Sequence, residues 1–134
     1  MNNQPLNASS LYGTLQTSVI QEFGKKPIGN ALVQIYSDND FTTLLYELKT
    51  DIHGLTPNVH LSAPPIEYSL YPNNLKPYSE YNLRITAPGF QSVLIYGTQI
   101  FPTIGSIQPV EMASDSGQRQ PKIIRIEPHV LYQP

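Results

Sequence analysis

Catalysis at neutral pH needs a nucleophile, a titratable acid or base, or a set of metal ligands, and the side chains able to serve are few. The chain has three histidines, ten acidic residues and no cysteine. His53, His60 and His129 fall in a turn, a strand and the C-terminal tail, and no two have the spacing that places imidazoles on one helix face around zinc. Asp38-Asn39-Asp40 has the opening of a calcium loop without its glycine and distal glutamate, so a hairpin turn accounts for it. Asp51, in Thr50-Asp51-Ile52-His53-Gly54, is explained by turn chemistry: the carboxylate accepts backbone N–H bonds and the glycine supplies a positive φ. Glu67 and Glu80 flank a proline-rich stretch as the nearest thing to a carboxylate pair, with no apolar or substrate-binding context around them. A G-x-S-x-G elbow, a P-loop and a dinucleotide fingerprint are all missing. The expectation is a chain that is not an enzyme and takes no metal or cofactor.

Binding chemistry is better represented. There are nine tyrosines and no tryptophan, and tyrosine offers a flat apolar face with a polar edge. Tyr68, Tyr71, Tyr78 and Tyr81 lie close together along the chain. Clustered outward, Tyr68, Tyr71 and Tyr78 make a platform for a sugar ring or a protein partner; turned inward, they cover the edge of a sheet and form a tyrosine corner. The second candidate is the tail Lys122-Ile123-Ile124-Arg125-Ile126-Glu127, a strand-like segment with no room for a partner of its own. Ile123, Ile124 and Ile126 therefore pair with the body or donate a strand to another molecule.

The elements that would hold these residues follow from punctuation. Thirteen prolines and eight glycines in 134 residues leave no segment long enough for an extended helix, and no stretch carries a 3.6-residue apolar period. Alternation with period two marks strands instead: Leu11 to Glu22, Ala31 to Tyr36, Thr43 to Thr50, a short one from Val59, a minor one at Tyr68 to Tyr71, Tyr78 to Ala87, Val93 to Phe101 and Ser106 to Met112. Seven or eight short strands at this spacing predict an all-β, Greek-key β-sandwich. Residues 1–10 form a flexible arm, 11–112 the sandwich, 113–121 a linker and 122–134 the strand-like tail.

Composition narrows the setting. The length suits one domain. Hydrophobic residues are 40% and charged residues only 13%, with a net charge of −2 and a pI near 5.8. Scattered cations on an acidic chain argue against nucleic acid. No apolar run reaches membrane-spanning length and Met1-Asn2-Asn3-Gln4-Pro5 lacks the basic and apolar regions of a signal peptide, so cytoplasmic synthesis without membrane insertion is expected.

Laid in order, these segments carry two resemblances. Pro27-Ile28-Gly29-Asn30-Ala31-Leu32-Val33, Thr50-Asp51-Ile52-His53-Gly54 and Tyr81-Asn82-Leu83-Arg84-Ile85-Thr86-Ala87-Pro88-Gly89-Phe90 resemble the pattern of carboxypeptidase-regulatory-like, or transthyretin-like, sandwich modules. Across residues 11–131, Leu11-Tyr12-Gly13-Thr14-Leu15-Gln16, Leu61-Ser62-Ala63-Pro64-Pro65, Pro77-Tyr78-Ser79-Glu80-Tyr81 and Gly97-Thr98-Gln99-Ile100-Phe101 are similar to the N-terminal region of clostridial spore cortex-lytic and related peptidoglycan-binding proteins. So are Ser106-Ile107-Gln108-Pro109-Val110-Glu111-Met112 and Glu127-Pro128-His129-Val130-Leu131. The resemblances imply an interaction or structural module of a Gram-positive spore or cell envelope, acting by binding a protein partner or by self-association. Peptidoglycan binding beside a cell-wall hydrolase, and a building block of a phage-like or appendage assembly, are the alternatives.

Overall fold

Side chains that alternate between water and apolar surroundings can be satisfied by an extended chain with one wet face, and pairs of such chains need partners for their backbone N–H and C=O groups. The computed structural model describes residues 11–37, 41–64, 77–117 and 120–127, and among them every regular element is a strand. These are β1 (Tyr12–Gln21), β2 (Leu32–Tyr36), β3 (Leu44–Lys49), β4 (Val59–Ser62), β5 (Ser79–Thr86), β6 (Val93–Ile100), β7 (Gly105–Met112) and β8 (Lys122–Arg125). The expected arm, residues 1–10, and the minor strand at Tyr68 to Tyr71 lie outside the described residues. Among the described residues no helix is long and apolar enough to cross a membrane.

The strands form two mixed sheets, one ordered β4-β1-β7 and the other β3-β2-β5-β6-β8. In the first, β1 runs antiparallel to β4 and parallel to β7, with Val19 opposite Val110. In the second, β2 runs antiparallel to both β3 and β5, β5 antiparallel to β6, and β6 parallel to β8. Leu15, Val19, Val110 and Met112 of the small sheet meet Val33, Ile35, Leu83, Ile85 and Ile95 of the large one in a single core, which gives the fold its sandwich character. Each of these side chains is at most 1% exposed, and full burial of such a side chain stabilises by about 1.5–3 kcal/mol. Hydroxyls tie the layers across their rims. Tyr81 Oη donates to Ser62 O at 2.7 Å, and Tyr46 Oη to His60 O at 2.9 Å. Burial raises the Tyr81 phenol above its ordinary pKa, with the Ser62 bond as a partial offset.

A loop takes the place of a strand beside β1. The Asp51 carboxylate accepts the N–H groups of His53 (2.8 Å) and Leu55 (3.0 Å), and those bonds, Leu55's first, hold it below the ordinary carboxylate pKa. The same turn lays Gly54 against β1, where Val19 N–H donates to Gly54 O at 2.8 Å. After β7 the chain stays on the body: Gln91 N–H reaches Ala113 O and Asp115 N–H reaches Gly89 O, both at 2.9 Å.

One core position is imperfect. Thr17 points inward between Leu15 and Val19 and is fully buried; its N–H is bonded to Thr56 Oγ1 at 2.9 Å, but its own hydroxyl has no partner among the described residues. Thr17→Val keeps the shape and removes a desolvated polar group, so it should stabilise by about 1 kcal/mol. Thermal melting checks this, with a rise in Tm of about 3–5 °C expected for a chain of this size.

Candidate functional site

The residues singled out by chemistry are dispersed. His53 sits in the Asp51 turn and His60 on β4, where its ring meets Tyr12 edge-on at 6.2 Å, while His129, Glu67 and Asp38 to Asp40 lie outside the described residues. Among the described residues no three of His, Asp or Glu gather where they could hold a metal ion. Tyr68 and Tyr71 also lie outside. Tyr78 is 3% exposed and its ring lies 5.3 Å from that of Phe101, so its face is spent on packing and is not offered to a ligand.

The tail is docked at home. Val93, Leu94, Ile95 and Tyr96 of β6 pair with Lys122, Ile123, Ile124 and Arg125, and Ile126 N–H adds a bond to Tyr96 O at 2.9 Å. Alternation then sorts the three isoleucines. Ile124 and Ile126 pack on the core, whereas Ile123 is 52% exposed on the outer face.

That outer face of the five-stranded sheet carries an arrangement that strand patterning did not reveal. Between Tyr81 and Leu83 the β5–β6 register shifts, and Gly97, at φ +89°, donates its N–H to Asn82 Oδ1 at 3.2 Å. A bulge of this kind re-aims its neighbours. Tyr96 comes to lie 5.2 Å from Phe41, which lies 5.2 Å from Tyr36, both pairs edge to face. The Arg84 guanidinium is 5.5 Å from Phe41 and 5.9 Å from Tyr36, and that of Arg125 is 4.3 Å over Tyr96. Rings of this kind attract the cation and fix its plane while leaving its N–H fork free to meet a carboxylate. The Lys25–Glu111 ion pair, at 2.9 Å, is remote in sequence from both arginines. The aromatic and basic residues are visible in the sequence; the bulge that gathers them is not, because the strand pattern from Val93 to Phe101 runs straight through Gly97. An open hollow of about 460 Å³ between Asn30, Leu32, Lys49, Thr86, Ala87 and Pro88 adjoins this face.

The sheet edges are the other open chemistry, since an edge strand carries a row of N–H and C=O groups that, among the described residues, no further strand takes up. Three are blunted: β4 and β8 have four residues each, and β7 contains Pro109. The fourth, β3, has six residues and no proline, and leaves Leu44 and Leu45 45% and 43% exposed.

No family model matches the chain, and no curated protein matches it. Solved structures do. The Bacillus anthracis TIE protein superposes with a TM-score of 0.53 at 16% identity over 76% of this chain and 16% of its own. The 3-chlorocatechol 1,2-dioxygenase of Rhodococcus opacus gives 0.53 at 10% identity over 79% of this chain and 61% of its own. Hydroxyquinol 1,2-dioxygenase of Pseudomonas putida gives 0.53 at 10% over 78% and 57%. The chain thus spans about a sixth of the first and less than two thirds of the other two. At these identities the likeness is one of all-β fold. It also corrects the expectation drawn from missing motifs that the chain is not an enzyme: this kind of fold recurs in dioxygenases, so a want of recognised motifs does not argue against catalysis.

Proposed function

We propose that the chain is an association module that docks on protein, further copies of itself included, through its five-stranded sheet. The observation that carries this reading is the β3 edge, unpaired among the described residues, free of proline and bordered by exposed leucines. Arg84 and Arg125 offer N–H forks to a partner's carboxylates on the outer face of the same sheet. The burial of Tyr78 weighs against the glycan platform. The strand order, in which β5 returns beside β2 after β4 has crossed to the other sheet, supports a Greek-key, transthyretin-like connection. The resemblance of residues 11–131 to spore cortex-lytic proteins supports a spore or cell-envelope setting.

The solution mass by light scattering across a hundredfold range of concentration tests the reading. A mass that climbs above 15.0 kDa with concentration is expected. A constant 15.0 kDa would remove self-association and leave only foreign partners.

A further inference from the structure

We infer that two copies of this chain pair through their β3 strands, antiparallel about a two-fold axis, so that two five-stranded sheets become one; this rests on the association reading above and gives it a surface and a partner. The β2–β3 register decides which backbone groups of β3 are free. Thr50 N–H donates to Ala31 O at 3.0 Å, and Val33 and Ile35 of β2 lie opposite Leu48 and Tyr46. In an antiparallel ladder, residues alternate between bonding one neighbour and bonding the other. Tyr46, Leu48 and Thr50 therefore face β2, and the N–H and C=O groups of Glu47 and Lys49 face the open edge, whereas the register shift at Ile35/Tyr36 breaks the alternation at Leu45. Glu47 and Lys49 also carry their side chains on the outer face, since Tyr46 and Leu48 pack on the core.

An added antiparallel strand must match edge-facing residues with edge-facing residues, and that leaves few registers for a second copy. Glu47 against Glu47, or Lys49 against Lys49, sets like charges opposite each other, which destabilises a ladder. Glu47 against Lys49 of the second copy satisfies both, and the two-fold axis repeats the pair, giving two ion pairs and about four backbone hydrogen bonds. In this register Leu48 meets Leu48 of the second copy on the core side, at the axis, and continues the apolar row. The stretch Glu47-Leu48-Lys49 is thus complementary to itself when reversed. Glu47 and Lys49 are both exposed, and neither has an ion-pair partner among the described residues.

The edge is also held ready. Tyr46 Oη is bonded to His60 O, which ties β3 to β4 in the other sheet. A strand already fixed in its extended form loses little freedom on pairing. Only residues 47–49 of each β3 lie against each other in this register, a small surface, so the dimer should dissociate on dilution.

Charge reversal tests the inference. Glu47→Lys sets lysine against lysine across the two strands, and Lys49→Glu sets glutamate against glutamate; each variant alone should dimerise at least about tenfold more weakly than the unaltered chain. An equimolar mixture should recover, because position 47 in either variant then meets the opposite charge at position 49 of the other. Light scattering reads all four samples, and thermal melting confirms that these exposed substitutions leave the fold intact. If the unaltered chain dimerises and the single variants do so equally well, or the mixture stays monomeric, pairing through β3 is overturned while the association reading stands. A mass fixed at 15.0 kDa for the unaltered chain overturns the pairing and removes self-association from the reading above, leaving foreign partners alone.

Discussion

Replacing Gly54 by alanine should destabilise the protein by about 3 kcal/mol or more, because two independent penalties coincide there. The residue sits at φ +77°, a region that a side chain rarely adopts, and an added Cβ would lie 2.4 Å from Val19 O, a backbone atom within β1. Relief would require the turn to lift from β1. That movement breaks the 2.8 Å bond from Val19 N–H to Gly54 O and disturbs the bridge between Ser18 and Leu55. Gly89 serves as the internal control. Its φ is +84° but nothing lies within 4 Å of an added Cβ, so Gly89→Ala should lose only the conformational part, about 1 kcal/mol. Urea unfolding of the two variants separates steric from conformational cost. Equal losses would mean that β1 and the turn part without penalty.

Leu83→Ala should cost about 3–4 kcal/mol and lower Tm by about 10 °C or more. Leu83 has no exposure, lies opposite Ile35 on one side and Ile95 on the other, and faces the small sheet across the core. Truncation leaves a cavity walled by strands that the ladders hold in place, so little of it can collapse. The same change at Leu45, 43% exposed, should shift Tm by no more than about 2 °C. The contrast makes the core testable by the same melt.

Both variants bear on what the sequence could disclose. Strand positions are legible because alternation and proline or glycine stops are local: Tyr81, Leu83 and Ile85 against Arg84 and Thr86 read as a strand, and Asp51 with Gly54 reads as a capped turn. The pairing is not local. Nothing in Lys122 to Glu127 says that it runs parallel to β6, since that depends on an apolar edge formed by Val93 and Ile95 some thirty residues away in the chain. Tyr78 is hard to place for a related reason. Its sequence setting allows both an outward platform and an inward cover, and only the position of Phe101 shows that it is covered. The Arg–aromatic row needs a one-residue register shift, and the self-complementary edge has to be known as an edge before its charges mean anything.

The parallel contact between β1 and β7 has a kinetic consequence. Thr14 and Gly105 are register partners although roughly ninety residues of chain separate them, so closing the small sheet carries a large loop-entropy barrier before it is rewarded. The β2–β3 and β5–β6 hairpins can form early from neighbours in sequence, but β1, which lies between β4 and β7, stays half-paired until β7 arrives. During synthesis that delay lasts until nearly the whole described chain has emerged. Its amphipathic ten residues then wait with one edge open, which makes folding slow for a chain of this size and makes β1 the segment on which misassembly would begin.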